Sequence, residues 1–489
     1  MQQNRDGEQK SFRLYGLFSL LVLFHTTLLF CGSFEDFKRT QATSFAKYTD
    51  ERDNAFNNYL KTQWRAYMAQ QGVKLYEKPK PRKITPAKPK RIRSVGPRID
   101  IKVKKDKVLK QPKVQNKFIV VQKKESKSIS FDFFGSSLGF DLPQKIKSAR
   151  YYPQNQKGIS NFFDSVASSR YSTLVEDILS VKKDMNLNDW GTYLLVLKIS
   201  KNVYPASKDS AKLLSWFLFN KMGYAVKVGL AKKHVVLLHY CKKIIYSTPS
   251  YSFGKRKFYA VANYAKGGIG KLYSYKQNYP GANKPLDLSL RSLPKFELDI
   301  KKETLSFEEL GKKYSIDYNY NQNLINFMAT YPQADYDTFF NAPMDKRSYA
   351  DVASGLKKYI DGKKASDGLN FVLHFVQKSF IYERDNQHFG REKVMFAQET
   401  LYYKKSDCED RAILYAYLVK ELFGVGVVGV KYKDHMATAL YIPMSGDSVR
   451  SGSRKFVIAD PTYINASIGQ SMPKYRSKRP ESFIIVRKD

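Results

Sequence analysis

Cys408 lies in the stretch KKSDCEDRAILYAYLVKELFG, immediately after two residues that favour a helix N-cap, Ser406 and Asp407. Downstream, Ala412, Ile413, Ala416, Tyr417 and Leu418 recur at helical spacing, which places Cys408 in the first turn of an amphipathic helix. Unpaired amide N–H groups and the positive end of the helix dipole favour a charged sulfur there. The chemistry this implies is nucleophilic attack by a thiolate.

A thiolate nucleophile needs a base, and the base needs an orienting group. After Gly424 the run VGVVGVKYKDHMATALYIP has strand character and carries His435. A second run, KFVIADPTY, ends with Asp460 before a Pro turn. Two adjacent strands bearing His435 and Asp460 would present an imidazole to the sulfur with a carboxylate behind it.

A Cys in a DCED helix start, a His with a small residue nearby on a strand, and an Asp-Pro closing a later strand together resemble the transglutaminase-like superfamily of papain-related cysteine enzymes. The resemblance covers roughly residues 365–475. It implies Cys408 as nucleophile, His435 as general base and acid, and Asp460 as the residue that fixes the imidazole tautomer. The oxyanion would be met by the Cys408 backbone N–H, with Gln398, Tyr403 and Asp410 as further supporting residues. No metal or cofactor is required by this chemistry. Superfamily members include peptidases, amidases and protein cross-linking enzymes, so acyl transfer is implied and its substrate is not.

Shifting the chain against itself by 201 residues lays Ser207 on Cys408, Asp209 on Asp410, Gly223 on Gly424 and His234 on His435. IYSTPSY then matches IADPTY, with Thr248 where Asp460 stands. The chain therefore reads as two copies of one domain, the first degenerate, with Ser207, His234 and Thr248 in place of a Cys, His and Asp set. Cys241, on the strand LLHYCKKIIY, is expected to be buried and inert.

The segments before these domains set localisation and partners. Residues 14–32 are largely apolar behind a weakly basic start, the layout of a signal peptide or an uncleaved anchor. A Pro- and Gly-free stretch follows, in which Phe34, Phe45, Phe56 and Tyr67, and likewise Phe37, Tyr48 and Tyr59, recur every 11 residues. That repeat predicts a helix of about 55 Å with a straight aromatic stripe, suited to a second copy, a partner protein or the chain's own body. Residues 74–127 hold 20 Lys and Arg against 4 acidic residues, together with Pro79, Pro81, Pro86, Pro89 and Pro97, and read as an extended basic linker. With a net charge of +39 over the chain, the linker points to an anionic envelope polymer or a membrane surface. No nucleic-acid-binding motif accompanies the charge.

The organisation read from the sequence is α+β. A signal peptide or anchor spans 1–32, a long helix 33–72, the basic linker 73–128 and a degenerate transglutaminase-like domain 129–280. A small antiparallel β-domain at 281–345 and a catalytic transglutaminase-like domain at 346–489 follow. The expected function is that of an exported, periplasmic or envelope-tethered cysteine peptidase or amidase acting on a protein or peptide substrate through a Cys408 thioester. A non-catalytic envelope adaptor with a vestigial triad is one alternative, and a cross-linking transglutaminase is another.

Overall fold

The computed structural model describes residues 34–70, 72, 84–88, 92–102, 127–263, 268–385, 389 and 391–487. The leader, most of the basic linker and the side chains of Phe34, Phe37 and Phe45 lie outside the described residues. Two compact units divide the chain at residue 59.

The first unit contributes most of helix α1 (Phe34–Thr62). At 29 residues it is about 43 Å long, shorter than the repeat predicts. It stops because Trp64 and Tyr67 enter a strand instead, β1 (Trp64–Tyr67). There Trp64 meets the Tyr275 ring edge-on at 5.4 Å and Tyr67 lies 4.3 Å from Phe253. Aromatic residues favour a half-buried pleated surface, and that preference overrides the helical period at its end. Of the stripe, Phe56 is buried whereas Tyr48 is exposed and carries the Arg52 guanidinium over its ring.

The second unit begins its globular part with a hairpin, β2 (Ile129–Phe133) and β3 (Ser136–Phe140), at the SISFDFFGSSLGF segment. Helices α2 (Gln144–Ser148), α3 (Gln156–Ala167), α4 (Tyr171–Asp184), α5 (Asp189–Val203) and α6 (Lys208–Lys221) follow. Strands β4 (Val226–Ala231), β5 (His234–Tyr240), β6 (Ser250–Phe253), β7 (Arg256–Tyr259) and β8 (Leu272–Tyr275) then complete a sheet ordered β1-β8-β4-β5-β7-β6.

The predicted β-domain at 281–345 reduces to one long hairpin, β9 (Ile300–Glu309) and β10 (Lys312–Asn321), followed by short helices α7 (Gln322–Met328) and α8 (Tyr336–Phe340). The alternation in LDLSLRSL has a different cause. Leu286, Leu288 and Leu290 are buried along the first sheet's end, where Leu286 N–H donates to the Tyr240 carbonyl and Ala225 N–H to that of Lys284.

Helices α9 (Lys346–Ile360) and α10 (Ala365–Lys378), strand β11 (Ile381–Tyr382), helix α11 (Ala397–Tyr403) and strand β12 (Lys405–Ser406) lead into α12 (Cys408–Phe423). Strands β13 (Val427–Tyr432), β14 (His435–Leu440), β15 (Ser448–Ser451), β16 (Arg454–Ala459) and β17 (Ser482–Ile485) form a sheet ordered β15-β16-β14-β13-β17.

The two sheets repeat each other. In each, a hairpin follows a long helix directly, and the order β8-β4-β5-β7-β6 is matched by β17-β13-β14-β16-β15. Register agrees as well: Ala231 faces His234 as Tyr432 faces His435, and Val226 faces His239 as Val427 faces Leu440. The same register corrects one detail of the sequence alignment. His239 faces Tyr259 as Leu440 faces Val457, so the residue that stands where Asp460 stands is Ala262. Thr248 precedes β6, one strand too early.

Two described parts of the basic linker, residues 84–88 and 92–102, are docked. Ala87 N–H donates to the Ile464 carbonyl at 2.8 Å, and residues 95–101 run beside the α9–α10 turn. There Ile99 exchanges backbone bonds with Lys363 and Gly362, Val95 N–H donates to Ser366 Oγ, and Ile101 is buried. A β-carbon at Gly368 would fall 2.1 Å from the Ile99 side chain, so the strap needs glycine on α10 at that point.

One buried charge separates the two sheets. Lys227 is 0% exposed on β4, its ammonium donating to the carbonyls of Lys276 and Gln277 at 2.9 Å each and lying among Phe253, Phe258 and Tyr275. By register its partner in the second sheet is Val428. Burial, with a smaller push from Arg256, lowers its pKa from 10.5 to about 7. Below 10.5 the unfolded chain binds a proton that the folded chain does not take up until about pH 7, so Lys227 costs stability progressively as pH falls across that window. In Lys227→Met, stability relative to wild type should therefore rise by a few kcal/mol between pH 9.5 and pH 7, read from urea midpoints. A difference that does not change with pH would refute this assignment.

Candidate active site

Helix α12 places Cys408 at its first position, behind the N-cap Asp407. Asp410 closes a capping box, its Oδ2 accepting from Asp407 N–H at 3.2 Å and its Oδ1 from Met395 N–H at 2.9 Å. That is a structural duty, and it removes Asp410 from the set of oxyanion supports. Gln398 is committed elsewhere too: its Oε1 accepts from Asp345 N–H at 2.9 Å and its Nε2 donates to Ser348 Oγ at 3.4 Å. Tyr403 packs against Phe389 and Tyr402, with its pKa pushed up to about 12 by burial and by Glu399. The Gln398 amide and the Asp410 carboxylate are thus engaged by backbone and hydroxyl groups, and the start of α12 presents its own unpaired backbone N–H groups beside Cys408.

His435 and Asp460 meet. Imidazole Nε2 lies 2.8 Å from Asp460 Oδ2, with His435 0% and Asp460 2% exposed. Asp460 is held by the Thr462 N–H on Oδ1 at 2.9 Å, while its carbonyl accepts from Gln377 Nε2 at 3.0 Å. Gln377, on α10, also donates to the Ala466 carbonyl, so one amide pins both ends of the turn that follows β16. With Nε2 engaged by a carboxylate, Nδ1 becomes the proton acceptor, and among the described residues it has no hydrogen-bond partner.

Tyr475 packs on this pair, and no hydrogen bond joins His435 Nδ1 to the Cys408 sulfur. Its ring stacks on the imidazole at 4.7 Å and meets the Tyr432 ring at a tilt at 5.0 Å, and its hydroxyl donates to Asp434 Oδ1 at 3.0 Å. Burial first, then the charges of Asp434, Cys408 and Asp460, raise its pKa far above the usual tyrosine range. The sulfur and the Asp460 carboxylate thus act on one phenol whose ring contacts the imidazole.

The surroundings of the sulfur differ from what a helix start alone suggests. Cys408 is 0% exposed, and its Sγ lies 3.2 Å from Glu409 Oε2, where a thiol proton is shared with a carboxylate. Asp385, Glu392, Asp407 and Asp410 extend the acidic cluster, their oxygens and the sulfur falling in three overlapping groups within 4.8 Å. These carboxylates are the residues that could hold a hard cation. Arg411 is the organic counter-charge: fully buried, it donates to Ser406 Oγ and to the carbonyls of Gln377 and Phe380. Burial lowers its pKa to about 10 while Tyr382, Asp407, Asp410 and Cys408 pull it back up.

The upstream counterpart has none of this. Ser207 is itself the N-cap of α6, its Oγ accepting from Ser210 N–H at 3.2 Å. His234 is exposed and bonds Asp209 through Nδ1 at 3.0 Å, with Asp209 also taking Lys212 and the Val235 N–H. Thr248 donates to the Tyr246 carbonyl. Cys241 is buried, its thiol pushed up by burial and by Asp189 and Asp287. Both described cysteines are free of disulfides.

Glu409, Arg411, Gln377 and Tyr475 were not singled out from the sequence. Glu409 and Arg411 adjoin Cys408 and could have been weighed by charge alone. Gln377 and Tyr475 carry no local signal, since their partners are 83 and 41 residues distant.

The chain matches no protein-family model, no curated protein and no solved structure.

Two substitutions check the electrostatics. Arg411→Met leaves buried acids without their cation and should cost about 3 kcal/mol or more in urea unfolding. Glu409→Gln removes the negative charge beside the sulfur and should speed iodoacetamide alkylation of Cys408 at pH 7 several-fold, with Cys241 as the internal standard. An unchanged alkylation rate would show that Glu409 does not govern the thiol.

Proposed function

We propose that this chain is a transglutaminase-like cysteine enzyme that carries out acyl transfer on peptide or glutamine amides, with hydrolysis as the outcome. The observation that carries the reading is the buried His435, clamped through Nε2 by Asp460 and left with an unpartnered Nδ1. A buried polar atom without a partner is rare and calls for a reason, and a proton-transfer role supplies one.

In this reading Nδ1 accepts the Cys408 thiol proton as sulfur attacks the amide carbon. The tetrahedral oxyanion meets the Cys408 N–H at the start of α12. Collapse expels the amine with the proton that His435 returns to it, leaving a thioester. Water, deprotonated by the same imidazole, then cleaves the thioester and restores the thiol. Asp460 stabilises the imidazolium formed in each half-reaction. The first sheet with its helices serves as a non-catalytic scaffold. Export or envelope tethering by the leader remains part of the proposal, and among the described residues no helix is long and apolar enough to cross a membrane.

Full burial of Cys408 and its contact with Glu409 favour a second reading, the non-catalytic adaptor, in which the trio is a packing remnant. A peptide-library digest separates the two. Wild type should release new termini that Cys408→Ala does not, and Asp460→Asn should retain the fold while losing on the order of 1,000-fold or more in rate. Identical, inert digests from wild type and Cys408→Ala would leave the adaptor. Incorporation of a labelled primary amine into a glutamine-bearing acceptor would instead indicate cross-linking.

A further inference from the structure

The described part of the basic linker does more than connect. Residues 84–88, Ile-Thr-Pro-Ala-Lys, form no helix or strand and lie against the segment that follows Asp460. Ala87 N–H donates to the Ile464 carbonyl at 2.8 Å, and Ala87 is 7% exposed. Three residues earlier, Ile84 packs on the cluster that contains Tyr432, Tyr475, Ala437 and Ile458, with Tyr463 beside it. Tyr432 and Tyr475 are the two rings stacked with His435. The same segment therefore packs on the cluster to which the two rings beside the imidazole belong and bonds the stretch that follows its carboxylate. Farther on, residues 95–101 are fastened to the α9–α10 turn by paired backbone bonds, so the strap is anchored beyond the site.

We propose that this groove, between the Tyr432–Tyr475 wall and the Tyr463–Ile464 segment, is a binding site for an extended polypeptide. In this structure the chain's own residues 84–88 occupy it. The ligand class follows from the contacts: an extended backbone that donates an N–H to the Ile464 carbonyl and carries an apolar side chain three residues earlier. Extended backbone bonding with side chains set in pockets is a general mode of peptide recognition. The proposal rests on the acyl-transfer reading for its consequence, which is that the strap restricts access to the site without abolishing it and its departure widens the route to Cys408. Arg82-Lys83 and Lys90-Arg91 flank the segment, so a basic-specific protease has targets on either side of it.

The test is performed on the full chain. Ile84→Asp removes the apolar anchor, and Ala87→Pro removes the N–H that Ile464 accepts. Mass spectrometry then follows iodoacetamide labelling of Cys408 against Cys241. Either substitution should accelerate Cys408 at least tenfold and leave Cys241 unchanged, and a synthetic peptide of residues 82–93 should slow Cys408 again. Unchanged labelling of Cys408, or acceleration that the peptide does not reverse, overturns the proposal. If both cysteines accelerate together the substitution has loosened the body, and the gentler Ile84→Ser, which keeps the backbone bond, decides by the same two criteria. Selective, peptide-reversible acceleration with no amide cleavage in any variant would retain the strap and defeat the enzyme reading. Full cleavage activity in wild type, unaltered by Ile84→Asp, would do the reverse.

Discussion

The contact on which the C-terminal site depends is the one between His435 Nε2 and Asp460 Oδ2, 2.8 Å long and closed to water. A carboxylate in such a place must have several partners or it would be protonated or displaced, and Asp460 has them on both its side chain and its carbonyl. Those partners come from the turn after β16 and from α10. The sheet order and the helix behind it therefore converge on keeping one imidazole in one orientation. Tyr432 and Tyr475 finish the work by stacking on it, which leaves Nδ1 as the unengaged group.

Much of this was legible in the sequence because its signals are local. Helix α12 begins where Ser406 and Asp407 say it should, and His435 and Asp460 flank strands whose alternation is plain. The repeat was legible too, since hairpin register survives as a fixed offset even where few residues are identical. Thr248 was misassigned because a short motif was matched without the strand that must carry it. The β-domain and the full-length helix failed for one shared reason: alternation and period describe a face, not its partner. Leu286 and Leu288 bury against the first sheet, and Trp64 and Tyr67 are drawn into that sheet's edge.

The acidic cluster could not be read in advance, because its meaning lies in distances. A helix start favours an ionised sulfur, whereas Glu409 at 3.2 Å opposes it, and a carboxylate in contact outweighs a dipole of about half a charge. Arg411 brings a counter-charge to the buried acids, while its guanidinium donates to one hydroxyl and two carbonyls.

The two sheets share strand order and hairpin register yet differ in their polar residues. In the first, Ser207 caps its helix, His234 is turned to solvent beside Asp209, and Ala262 stands where a carboxylate would be needed. Freed from an imidazole, that sheet accepts β1 as an extra edge strand and a lysine, Lys227, in its aromatic interior. The second sheet has an apolar residue at the lysine's position. A charge at Val428 would sit in the cluster that also contains Tyr432 and Tyr475, whose rings stack on the His435 imidazole. The contrast between Lys227 and Val428 therefore follows from what each packs beside: an aromatic interior in the first sheet, the cluster next to the His435 imidazole in the second.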